Sequence, residues 1–318
     1  MDLPSETQIR WILQNTARLL SDGAEPVRGL VLPTGEFFPD AFDASPKAVA
    51  ALASRILKHA GLADVSAEVI VAAPDGTVQK ASCSSGACGG GGAFDTKLDR
   101  VMKREDGSYA ITVGAGEVKH SVALTTALTR AVSLIFLEES GAMETVLPRD
   151  AEATVDLTAV LLGFGVLVCN GSHIYQKGCG GVSVHSATKM GVDELALALA
   201  IFCELHQVPA RLAEKHLETT PREHFDESSV WAASNRKVVK MLRSDPIAIE
   251  EERYHLSEAR SWLSRALGIG TKKRSTPEEE LAQLEKWVAT PSAKKEVDPK
   301  KAARLAEIRA FMEENAES

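Results

Sequence analysis

The sequence predicts an α+β fold that is predominantly helical, with a small mixed α/β part at the N-terminus, a helical core and an appended C-terminal helical pair. Three observations lead there. Aromatic residues make up only 5% of the chain while alanine, leucine and valine abound, a mix that suits closely packed helices better than a β-sandwich. Strand-like stretches are confined to the N-terminal third, at "GLVLP" (29–33), "AEVIVAAPDG" (67–76) and "YAITVGA" (109–115). From His120 onward the pattern is helical, in "SVALTTALTRAVSLIFLEE", "EATVDLTAVLLGFGVLV" and "VDELALALAIFCELHQ", which we expect to form the central core.

Taken in order, "MDLPSETQIRWILQNTARLL" reads as an amphipathic helix rather than an export signal, since no positive cluster precedes an apolar core. Proline in the first helical turn marks starts at Ser45-Pro46, Thr220-Pro221, Thr276-Pro277 and Asp298-Pro299, because its missing N–H is no loss there. The first of these opens a helix that Gly61 should cap; the second opens a helix running from Pro221 to Leu242. Asp75-Gly76 and Asp106-Gly107 are turn formers beside the strands. The longest apolar run, Leu157 to Cys169, is shorter than the roughly 20 residues a bilayer demands, so a buried helix is expected. Beyond residue 245 glutamate, lysine and alanine take over. We therefore expect a main domain over 1–245, carrying a flexible loop at 80–93, and a helical extension over 246–318.

A formal net charge of −8 disfavours nucleic acid or an anionic membrane as the main partner, and a cytoplasmic protein without membrane insertion is expected. Of the five cysteines, Cys169 and Cys203 fall in apolar helical runs and read as core. The others sit beside glycines: Cys83 and Cys88 in "KASCSSGACGGGGA" (80–93) and Cys179 in "QKGCGGVSVH". Thiolates are soft ligands, so Cys83, Cys88 and Cys179 with His173 or His185 form a candidate site for zinc or iron. A Cys83–Cys88 disulfide and plain loop thiols are the alternatives. The glycine run lacks the Gly-Lys-Ser/Thr of a phosphate loop, and neither G-x-S-x-G, H-E-x-x-H nor H-x-x-E-H occurs. Glu152 and Asp156, four apart at a helix start, read as charge favoured by the helix dipole.

The combination of "LPTGEFFPDAFD" (32–43), an apolar helix, Glu152 with "VDLTAVLLGFGVLV" (155–168) and "DELALALAIF" (193–202) resembles a poorly characterised group of bacterial zincin-like metallopeptidases. The resemblance spans residues 28–205. It implies that Arg130 stands where the first zinc histidine would be, Ala131 where the catalytic glutamate would be and Leu134 where the second histidine would be, with Glu152 at the third-ligand position. Arginine, alanine and leucine neither bind zinc nor deprotonate water. The expectation is therefore a non-catalytic interaction or scaffold protein with a protein partner; the alternative is a thiol-based metal or redox protein.

Overall fold

The computed structural model describes residues 3–72, 96–178 and 181–257. Helix α1 (Glu6–Ser21) starts at a reciprocal cap in which the Ser5 hydroxyl accepts from the Gln8 N–H and the Gln8 side chain accepts from the Ser5 N–H. Its buried residues Ile9, Ile12, Leu13 and Ala17 recur at helical spacing and line one face. Helix α2 (Pro46–His59) begins as expected: Ser45 accepts from the Ala48 N–H at 3.1 Å, and Pro46 occupies the first turn. It ends at Gly61, whose φ of +81° is the left-handed conformation that glycine adopts without strain.

The sheet is small. Strand β1 (Ala67–Ala72) runs parallel to β3 (Tyr109–Gly114), and β2 (Val101–Lys103) pairs antiparallel with β3 on its other side. The central strand, β3, buries Tyr109, Ile111 and Val113. A short turn of helix, α3 (Ala115–Val118), leads into α4 (Ser121–Glu139), which joins α2 over the sheet around Val49, Ile56, Leu124 and Leu128.

Helix α5 (Ala151–Ala159) passes through a wider π-type segment, Val160–Phe164, into α6 (Gly165–Gly171). Gly163 breaks the helical path with φ +97°, and its carbonyl accepts the Val31 N–H at 2.8 Å. This corrects the expected strand at 29–33. That stretch is an extended strap whose Val31 N–H bonds a helix break instead of a neighbouring strand.

The all-helical expectation after His120 also needs correction, because β4 (Ile174–Gly178) and β5 (Gly181–His185) form an antiparallel hairpin. Helix α7 (Val192–Leu205) then runs through the main core, buried from Leu195 to Cys203, and packs on α9 (Thr219–Ser234) beyond the short α8 (Ala210–Glu214). The single helix expected over 221–242 is two. Buried Asn235 separates α9 from α10 (Arg236–Ser244), and its carboxamide donates to the carbonyls of Trp231 and Ser257 while accepting the Ser257 N–H at 2.7 Å. One side chain thereby ties the break to the segment that follows α11 (Pro246–Glu250).

Asp245 caps α11, Ile249 is buried and α11 packs on α1, so residues just past 245 are built into the same body. Compactness divides the chain into Met1–Arg265 and Ala266–Ser318; the expected helical pair, with Thr276-Pro277 and Asp298-Pro299, lies outside the described residues. The stretches Ser121–Glu139 and Pro148–Gly171 are long and apolar enough to cross a bilayer, yet 72% and 89% of their apolar windows are buried inside the body. They are core helices.

His59 shows how the "LPTGEFFPDAFD" segment is held. Its ring meets Phe37 and Phe38 edge-on at 5.7 Å each, and Nε2 lies 3.0 Å from the Phe37 carbonyl, so Nε2 carries the proton and donates. Buried Nδ1 has no partner among the described residues, and burial pushes the imidazole below its ordinary pKa. The native state therefore favours the neutral ring. That contribution is present above the unfolded-state pKa of about 6.5 and is lost as pH falls through and below it. We expect the urea midpoint to drop between about pH 7.5 and about pH 5.5, and His59→Gln to drop less over the same interval. His173 and His206 are shifted in the same direction by burial, so some pH dependence should persist in that variant.

Candidate functional site

The charged centre of the body lies between α4 and α5. Both helices are too apolar to leave a lone charge in their contact, and the two charges there satisfy each other: Arg130 is 2% exposed and Asp156 is fully buried. Arg130 Nε donates to Asp156 Oδ1 at 2.5 Å, and Nη1 donates to the Thr96 carbonyl at 2.7 Å. Asp156 Oδ2 accepts the backbone N–H groups of Lys189 and Met190 at 2.6 and 2.9 Å. Four stretches of chain thus converge on one ion pair. Burial pushes the Asp156 carboxyl up, and Arg130 and the two amides pull against that shift.

Thr96 extends the network, since its hydroxyl donates to Glu152 Oε2 at 3.2 Å. A second buried pair, Arg100 with Glu117 at 3.1 Å, lies one short turn further along the chain, and Glu117 also accepts the Gly114 N–H. Three polar atoms on α4 and α5 have no hydrogen-bond partner among the described residues: Arg130 Nη2, Thr129 Oγ1 and Thr154 Oγ1. The arrangement is a clamp. Among the described residues it holds no thiol or imidazole, and the Asp156 carboxylate is occupied by three donors.

The positions that the family resemblance assigns to zinc fall inside this core. Ala131 is 1% exposed and Leu134 is 4% exposed, each packed in an apolar cluster, and Arg130 is held by Asp156. These side chains do not fit a zinc ion: one is a cation and two are hydrocarbon. Glu152 meets Thr96, and Asp156 is a buried partner of arginine where helix-dipole charge was expected.

Of the thiol site, Cys83, Cys88 and Cys179 lie outside the described residues. His173 and His185 are at the open end of the hairpin, where Ile174 pairs with His185, four pairs along from Gly178 and Gly181. His173 packs edge-on against Tyr175 at 4.9 Å, and burial, with His224 adding to it, pushes its pKa down. His185 Nε2 is 2.8 Å from the Ser183 hydroxyl. Among the described residues no three His, Cys, Asp or Glu side chains are grouped to hold a metal ion.

Cys169 and Cys203 are free, buried thiols of the main core, as their apolar surroundings predict. Burial pushes Cys203 up to about 12 and Cys169 up as well, which suppresses the reactive thiolate.

No family model, no curated protein and no solved structure matches this chain. The pairing of Arg130 with Asp156 is the feature that sequence reasoning missed. A signal was present: each helix carries one charge inside an otherwise apolar stretch, and two such helices pack most easily with those charges facing.

Proposed function

We propose that this chain is a non-catalytic, cytoplasmic interaction protein, a scaffold on a zincin-like body that lacks peptidase chemistry, and that its partner is another protein. The observation that carries this reading is the sealed ion pair of Arg130 with Asp156 at the position where the resemblance would put a zinc histidine. A zinc peptidase needs an open coordination position and a carboxylate free to take a proton from water. A guanidinium locked to an aspartate with no exposed surface offers neither. The overall charge of −8 favours a protein partner over a nucleic acid.

The test uses the full chain, purified without chelator or metal-affinity tag. Peptide cleavage should be absent with and without added zinc, and tagged chain recovered from its own host after crosslinking should carry one protein at near-stoichiometric yield. Chelator-sensitive cleavage, or recovery of the chain alone, would sink the proposal. Elemental mass spectrometry on the same sample tests the thiol alternative: about one zinc or iron per chain, lost in Cys83→Ser, would replace the scaffold reading with a metal site.

A further inference from the structure

A cavity of about 600 Å³ opens between the C-terminal end of α7, the following turn, α9 and α10. Its size falls in the range of small-molecule sites. The space exists because the facing helices place small side chains there: Ala200 and Cys203 on α7, Ala232 and Ala233 on α9. Val208 and Pro209 add apolar wall.

The polar groups are few and sit on that wall. The Ser229 hydroxyl is buried with no hydrogen-bond partner among the described residues. Arg236 is held by Glu204 at 2.5 Å, which leaves Lys240 as the cation in the lining that makes no ion pair among the described residues. Between them lies a backbone oddity. Helix α7 ends with the Val208 N–H donating to the Cys203 carbonyl at 2.8 Å, a closing bond that needs a left-handed residue just past the cap. Glycine is the usual occupant, yet here it is Gln207, with φ +55°, and this residue is part of the cavity lining. A residue in this conformation, in the lining of a pocket that also holds a hydroxyl and an ammonium without partners among the described residues, points to a ligand.

We propose that this cavity binds a small amphipathic carboxylate, with its hydrocarbon against the alanine, valine and proline wall and its carboxylate on Lys240, Gln207 and Ser229. The lysine supplies the charge-assisted bond; the amide and hydroxyl donate to the same oxygens. Glu204 is spent on Arg236, so among the described residues the charge in the lining that makes no ion pair is positive. A neutral or cationic ligand of the same shape would leave that ammonium and hydroxyl without an acceptor. This inference does not depend on the scaffold reading.

The probe is decanoate, titrated calorimetrically into the full chain, with decanol as the neutral control. Binding is expected with a Kd on the order of 50 µM, within the usual yield per atom for a ligand of that size. Lys240→Ala should weaken it about tenfold. Ala233→Phe, which fills the cavity from an exposed helix position, should abolish it. Gln207→Gly should melt about 2 °C higher and bind more weakly. A Kd above roughly 1 mM, decanol binding as tightly as decanoate, or unchanged affinity in any of the three variants would overturn the proposal.

Discussion

Replacing Gly163 by alanine is expected to destabilise the protein by about 3–5 kcal/mol, enough to unfold a domain of ordinary stability. Two costs combine. A φ of +97° is strained for any residue with a Cβ, and that Cβ would stand 2.2 Å from the Gly29 carbonyl oxygen, inside any permitted contact. The strap at 29–33 would have to lift, breaking the Val31 hydrogen bond. Gly107→Ala supplies the control, because Gly107 has φ +82° and open space around it. It should cost only about 1 kcal/mol. Urea midpoints of both variants, compared with the parent, measure the difference. Equal losses would mean that the strap does not press on the helix break.

The second large effect is at the buried pair. Arg130→Met should cost about 3–5 kcal/mol, because it leaves the Asp156 carboxylate fully buried with only the Lys189 and Met190 amides as donors. The double variant Arg130→Met with Asp156→Leu should recover most of that loss, since removing both charges also removes the desolvation they require. Equilibrium unfolding of the parent, Arg130→Met, Asp156→Leu and the double variant closes the cycle. A double variant as unstable as the single would show that the Thr96, Lys189 and Met190 contacts, rather than charge balance, hold the site together.

These two positions also mark where the sequence stopped being legible. Local chemistry was readable: Ser45 with Pro46 starts α2, Gly61 ends it, and the long apolar runs at 121–139 and 192–205 are core helices, because caps and periodicity are set by neighbours in the chain. What failed depends on distant partners. The stretch 29–33 has strand composition, but its hydrogen-bond partner is a helix carbonyl at 163, which no local pattern encodes. The hairpin at 174–185 was hidden by its glycines and thiol, which read as loop, although Tyr175, Val182 and Val184 are good strand formers. The break at Asn235 rests on Ser257, more than twenty residues away. At the candidate site the absence of zinc-binding side chains at Arg130, Ala131 and Leu134 was legible, while the use made of Arg130 required knowing that α4 faces α5.

The first helix of this chain packs against some of the last described ones. Ile9, Ile12 and Leu13 on α1 belong to a core shared with α7, α10 and α11, and Arg10 lies 5.3 Å over the Tyr254 ring and 3.1 Å from Glu252. A ribosome adding about 5–20 residues per second needs on the order of ten to fifty seconds to travel from α1 to α11. For most of that interval the apolar face of α1 lacks part of the surface that covers it in the finished body. Until α11 is made that face stays partly bare, so the cover of α1 is completed only as the last described helices arrive.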